Sequence, residues 1–281
     1  MSLVSTHPAN VSQNRQNRDT SRQRVKETAF SFTRFGDVLT KQSFSRHMSH
    51  PLQPLPLPAS VNLETPAVLR QLARAHRQLA ELKGAAGTIP NETILIDTLA
   101  LQEAKDSSEI ENIVTTDDEL FQGEAATTSP FLNMATKEVH RYANALKQGF
   151  ERLRAQRFLR LADVLAIQET LLESRIGLRT LPGTVLKNED TGKIVYEPPQ
   201  DPEEIKRLMG NFLEYFHRED EPNCHDPLVR MAVLHHQFES IHPFSDGNGR
   251  TGRILNLLHL VLHGLLDLPV LYLNWPRCSA S

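Results

Sequence analysis

At 281 residues, with 31 basic against 34 acidic side chains, the chain carries a net charge of −3. That balance argues against a general nucleic-acid binder, whose phosphate-facing surface needs a basic excess. Two cysteines, Cys224 and Cys278, make no disulfide framework, no apolar run approaches the ~18 residues of a membrane span, and no signal-peptide pattern opens the sequence. A cytoplasmic chain of one large or two small domains is therefore expected.

Residues 1–50 are rich in Ser, Arg and Gln and poor in acids up to Glu27. They hold too little apolar surface to offset the entropy of folding and read as a disordered polar N-terminus. Arg15, Arg18, Arg22 and Arg24 follow no amphipathic pattern that would make them a targeting leader. Pro51 to Pro58 form a proline-rich strap. A helix follows, with Thr65 as N-cap and Pro66 at N1, Leu69, Leu72, Leu79 and Leu82 facing inward, and Gly84 as its stop.

Asn91 to Asn112 reads as a second helix, with Ile94, Leu95, Leu99, Leu101 and Ala104 as its apolar side. Ser107 and Glu111 near its end are four apart and share a face. Val139, Tyr142, Ala143, Leu146 and Phe150 mark another helix, and Leu161, Val164, Leu165, Ile167, Leu171 and Leu172 the next. From Gly183 to Tyr196 the period breaks. Val185 and Leu186, then Ile194, Val195 and Tyr196, are β-prone runs around a turn-rich centre, which spells a small hairpin. Asp201-Pro202 opens a helix with Ile205, Leu208, Met209, Phe212 and Phe216 as its core face, and Asp226-Pro227 opens one that runs through Val233 and Phe238 to His242. The fold class is all-α with one small β-hairpin.

The run His242-Pro243-Phe244-Ser245-Asp246-Gly247-Asn248-Gly249-Arg250-Thr251-Gly252-Arg253 concentrates chemistry. Gly247 and Gly249 around Asn248 let successive amides point into one concavity, and the apolar period beyond Thr251 makes that cradle the start of a helix, a natural seat for phosphate. Arg250 and Arg253, three apart, are neighbours whose guanidinium forks suit a chain of two or three phosphates. Asp246 is a hard oxygen donor; one carboxylate plus substrate phosphates is a common way to hold Mg²⁺. His242 titrates near neutrality and can deprotonate an attacking hydroxyl. A zinc site from His235, His236 and His242 is disfavoured, because adjacent histidines diverge on a helix and no HExxH spacing occurs.

This run matches the Fic family motif HPFx[D/E]GNGRxxR at every defined position, and residues 51–273 resemble that family. The resemblance implies a Fic-type helical core over 135–273 with a hairpin flap, preceded by an N-terminal helical region over 51–134. It implies a protein adenylyltransferase that moves AMP from ATP, with Mg²⁺, to a Ser, Thr or Tyr hydroxyl of a target protein, the chain itself among the candidates. His242 would then be the base and Asp246 the Mg²⁺ ligand. Gly247, Asn248 and Gly249 would hold the α-phosphate region, with Thr251 and Gly252 completing the nucleotide-binding run. Arg250 and Arg253 would hold the outer phosphates. Ser107-x-x-x-Glu111-Asn112 resembles the family's [S/T]xxxE[G/N] inhibitory motif, which would pair Glu111 with Arg253. Val185, Leu186, Ile194, Val195 and Tyr196 resemble the flap whose edge captures the target by strand addition. The resemblance also admits a homodimer.

Rival readings are the same fold using another nucleotide donor or removing AMP, and a catalytically weak ATP-binding regulatory module. Residues 274–281, broken by Pro276, depart from the family and read as a truncated or replaced tail, which puts in doubt the packing beneath the catalytic helix, the adenine contacts and dimerisation.

Overall fold

The computed structural model describes residues 52–58, 61–87, 92–124, 133–187, 192–218 and 225–269. The polar N-terminus over 1–50, the tail over 274–281 and both cysteines lie outside the described residues. Eight helices and one antiparallel hairpin are found among the rest: α1 (Pro66–Ala86), α2 (Glu92–Glu109), α3 (Asp117–Glu124), α4 (Met134–Gln156), α5 (Leu161–Leu172), β1 (Leu186–Lys187), β2 (Ile194–Tyr196), α6 (Pro202–Phe216), α7 (Pro227–Ile241) and α8 (Asn248–Leu262). The fold is all-α with a small hairpin. No helix of the described residues is long and apolar enough to cross a membrane.

The helix starts follow local chemistry. Thr65 Oγ1 accepts from the Val68 N–H at 3.3 Å, with Pro66 at N1. Asp201 and Asp226 cap α6 and α7 in the same way, each followed by Pro. Two expectations for α1 fail. Leu69 is 46% exposed, because the buried stripe is Val68, Leu72, Ala75 and Leu79 and Leu69 falls on its flank. Gly84 does not end the helix, which continues to Ala86; a lone glycine costs only about 1 kcal/mol against alanine, and two alanines follow. Of the apolar side expected for α2, Leu101 and Ala104 are buried and Leu99 half-buried; the side chains of Ile94 and Leu95 lie outside the described ones. α3 is an element the apolar pattern did not announce. Its signal was a capping box: the Glu119 N–H donates to Thr116 Oγ1 at 3.2 Å and the Thr116 N–H to Glu119 Oε2 at 3.0 Å.

α4 is the central element, packed against α2, α5 and α8. Val139, Tyr142, Ala143, Leu146 and Phe150 are buried along it, as expected. Gly149 lets α5 and α8 approach: a Cβ there would stand 3.0 Å from both Ile167 Cδ1 and Leu258 Cδ1, themselves buried. Gly149→Val is expected to lower unfolding stability by about 1–3 kcal/mol through overpacking, measured by urea titration; an unchanged midpoint would contradict this packing.

α7 and α8 pack together, and the turn between them carries the start of the His242–Arg253 run. α6 covers α7 with Ile205, Leu208, Met209, Phe212 and Phe216, all buried. Each such side chain contributes about 1.5–3 kcal/mol by leaving water, so the turn rests on a firm base. In the hairpin Leu186 pairs with Tyr196 and Lys187 with Ile194, with an irregularity between the two pairs. Val185, expected in the flap, precedes the first paired residue.

Candidate active site

α7 ends at His242, whose backbone is left-handed (φ 49°, ψ 59°), a conformation that costs a non-glycine residue about 1–2 kcal/mol. Pro243 ends the helix there, and the chain turns through Phe244 to Asp246 into α8. Burial pushes the His242 imidazole below its ordinary value of 6.5; the Glu239 backbone carbonyl opposes this, and the Arg179 charge adds to it. At neutral pH the ring is therefore neutral and able to accept a proton. A proton NMR titration of the His242 ring is expected to give a midpoint below 6.5; one above it would remove this argument.

The glycine-rich turn is braced from within. Asn248, buried, donates through Nδ2 to Phe244 O at 2.8 Å and accepts at Oδ1 from the Phe244 N–H at 3.0 Å. Its side chain thus holds the loop. Of the nucleotide-binding run implied by the family resemblance, Thr251 is wholly buried and Gly252 packs against His235 and Glu239. Gly247 starts α8 at φ 75°. Asp246 is the outward group: its carboxylate is 69% exposed and lies 3.7 Å from Arg250 Nη2, while Oδ1 accepts the Gly247 N–H. Arg250 is 4% exposed, with Nη1 donating to Glu138 Oε2 at 3.1 Å.

Ser107 in the last turn of α2 and Glu111 just past its end reach this turn. Arg253 Nε donates to Ser107 Oγ at 2.5 Å, and its Nη2 donates to Ser107 O at 3.0 Å and to Glu111 Oε1 at 2.7 Å. The other carboxylate oxygen, Oε2, stands 2.8 Å from Arg250 Nε. Glu111 therefore bridges both arginines, where the motif alone suggested Arg253. A Cβ on Gly249 would come within 2.7 Å of Glu111 Oε1 and 3.0 Å of Arg253 Nη1, so glycine is what lets the carboxylate in.

Asn112 has a distinct task. The Ile113 N–H donates to Ser108 O and the Asn112 N–H to Glu109 O, each at 3.0 Å, with Asn112 at φ 62°. This is a Schellman close in which a left-handed residue, Asn or Gly, follows the helix.

Several residues at the site had escaped the sequence reading. Glu103 is one: it continues the four-residue spacing of Ser107 and Glu111 and, buried, accepts from the Tyr142 hydroxyl at 3.4 Å. Its available signal was a polar residue at every fourth position, Glu103, Ser107 and Glu111, beside the apolar side of the helix. Glu239, beneath Arg253, has its carboxyl pushed up to about 7 by burial, against the pull of Arg253 and with the push of Glu111. Burial takes the neighbouring His235 down to about 4. Glu138 and Arg179 carried no local signal.

The described residues contain no group of three or more His, Cys, Asp or Glu placed to hold a metal ion. Asp246 alone fits a hydrated Mg²⁺ that arrives with phosphates, since that ion binds through one or two carboxylates and keeps water.

Residues 69–151 match the model of the Fic/DOC family N-terminal region and residues 158–260 that of the Fic/DOC family. The chain belongs to the Fic/DOC family. Over 64 residues, 23% of this chain and 12% of the relative, it is 34% identical to protein adenylyltransferase fic-1 of Caenorhabditis elegans. Over 69 residues, 25% of this chain and 21% of the relative, it is 38% identical to a probable protein adenylyltransferase of Aquifex aeolicus. The matched stretches span a small part of these relatives' own length. In fold it is similar to a Fic family protein from Desulfovibrio desulfuricans G20, at TM-score 0.59 and 24% identity over 80% of this chain and 66% of that one. A Fic domain containing signaling protein from Bacteroides thetaiotaomicron gives TM-score 0.56 and 21% identity over 67% and 73%.

Proposed function

We propose that this chain is a protein adenylyltransferase that uses ATP and Mg²⁺ and is restrained by its own Glu111. The observation that carries the reading is the meeting of Glu111 with Arg250 and Arg253 beside the turn that bears His242. Two guanidiniums at a helix start suit a phosphate chain, and a carboxylate already on both competes with it directly. The protein adenylyltransferase names of the relatives supply the adenylyl group.

In this reading the target hydroxyl oxygen bonds to the α-phosphorus of ATP as the bond to the β-phosphate oxygen breaks. The hydroxyl proton passes to His242, and pyrophosphate leaves. Arg250 and Arg253 stabilise charge on the leaving group, the main way such transfers are accelerated. Mg²⁺, held by Asp246 and the phosphates, would add neutralising charge. The exposed Ile194 and Val195 of β2 offer the hairpin edge to an extended segment of the target.

The test is covalent uptake of label from ATP labelled at the α-phosphate by the Glu111→Gly protein, with unlabelled UTP and GTP as competitors. Label that neither UTP nor GTP displaces is expected. Bound ATP with no covalent label would mean a nucleotide-binding regulatory module instead.

A further inference from the structure

We propose that Arg179 sets the catalytic turn against the hairpin, so that His242 and a hydroxyl presented at the hairpin edge meet in one geometry; this rests on the adenylyl-transfer reading above. Arg179 lies between α5 and β1 and is 4% exposed. Its backbone N–H donates to Pro243 O at 2.9 Å. Nε donates to His242 O at 2.7 Å, and Nη2 donates to Pro199 O, just past β2, and to Ile241 O at 3.4 Å. One rigid guanidinium thus joins its own loop, the end of α7 and the exit of the hairpin, a task a planar fork performs and a point charge does not.

The end of α7 needs such a partner. The last carbonyls of a helix have no acceptor role within it, and a cation there is favoured by the helix dipole. α7 has no basic residue in its last turn. Arg179, 63 positions before His242, supplies the cation from another segment. The left-handed backbone of His242 is a conformation that persists only when its surroundings hold it, and the bonds from Arg179 to Ile241 O, His242 O and Pro243 O span that residue.

The hairpin is tied to the same helix end a second time. The Tyr196 hydroxyl donates to Ser240 O at 3.1 Å. Gln200 closes the hairpin base, with Nε2 donating to Thr184 O at 2.9 Å and Oε1 accepting from the Gly183 N–H at 2.7 Å. The docking edge and the base are therefore fixed to one frame, with Arg179 at its centre.

Arg179 also bears on the imidazole by charge. It is the charged side chain acting on His242 from a neighbouring segment, while Glu239 on α7 acts through its backbone carbonyl. Arg179 is thus a positioning residue whose removal should have two separable effects, on geometry and on the ring's proton affinity.

The experiment compares Arg179→Gln, Arg179→Lys and Tyr196→Phe, each in the Glu111→Gly protein. The readouts are transfer from α-labelled ATP, affinity for a non-hydrolysable ATP analogue, thermal melting and the NMR titration midpoint of His242. Arg179→Gln is expected to lose about ten-fold or more in transfer, because a small misplacement of reacting groups costs that much. Its nucleotide affinity should stay within about two-fold of the parent by the same reasoning, and its His242 midpoint should move up. Arg179→Lys should restore the midpoint and recover part of the rate. Transfer at the parental rate in Arg179→Gln, or equal losses of transfer and nucleotide affinity, would overturn the proposal. Should Arg179→Gln fail to fold, parental transfer in both other variants overturns it, and reduced transfer at unchanged nucleotide affinity supports it. No transfer in the Glu111→Gly parent would overturn the adenylyl-transfer reading and this one together.

Discussion

Glu111→Gly is expected to raise label transfer from ATP about ten- to hundred-fold. The carboxylate meets Arg253 at 2.7 Å and Arg250 at 2.8 Å, and both guanidiniums are largely shielded from water. A hydrogen bond to a charged group contributes about 1.5–3 kcal/mol, and a phosphate chain has to displace at least one such contact; each 1.4 kcal/mol is about ten-fold. Ser107 would continue to hold Arg253 through Oγ and its carbonyl, so the arginine should stay in place once the carboxylate is gone. Transfer rates at saturating ATP, with and without the substitution, check this. An unchanged rate would mean that the Glu111 contact is a structural ion pair and no brake.

His242→Ala, made in the Glu111→Gly protein, should remove about 10²–10⁴-fold of the transfer rate, the range for a positioned general base. ATP affinity should be nearly unchanged, because His242 sits on the turn before the cradle while the arginines lie on α8. The fold should tolerate the change: His242 caps α7 through its backbone N–H to Phe238 O, which alanine keeps. Strong loss of rate with retained nucleotide affinity is the expected pattern. Equal losses of both would assign His242 to nucleotide binding.

The candidate turn was legible in the sequence because its chemistry is local. His242, Asp246, Arg250 and Arg253 stand within one turn and one helix start, where spacing decides which groups are neighbours. The helix starts at Thr65, Asp201 and Asp226 were legible for the same reason, since caps act across three residues. Contacts between distant segments were not legible. Nothing near Glu138 says that it meets Arg250, 112 residues on, and nothing near Arg179 says that it meets His242. The brace from Asn248 to Phe244 was not legible, because a side-chain amide suits a phosphate as well as a backbone. Leu69 misled because its apolar character fits the helical stripe while its angle falls outside it. Ser107 and Glu111 were read correctly as one face, yet the second arginine under Glu111 depends on how α2 docks on α8.

The most direct test of the central claim incubates the Glu111→Gly protein and Mg²⁺ with ATP labelled at the α-phosphate in one sample and at the γ-phosphate in another. Covalent α-label, with γ-label recovered only as pyrophosphate, is the expected result. Covalent γ-label, or no covalent label while ATP still binds, would contradict adenylyl transfer.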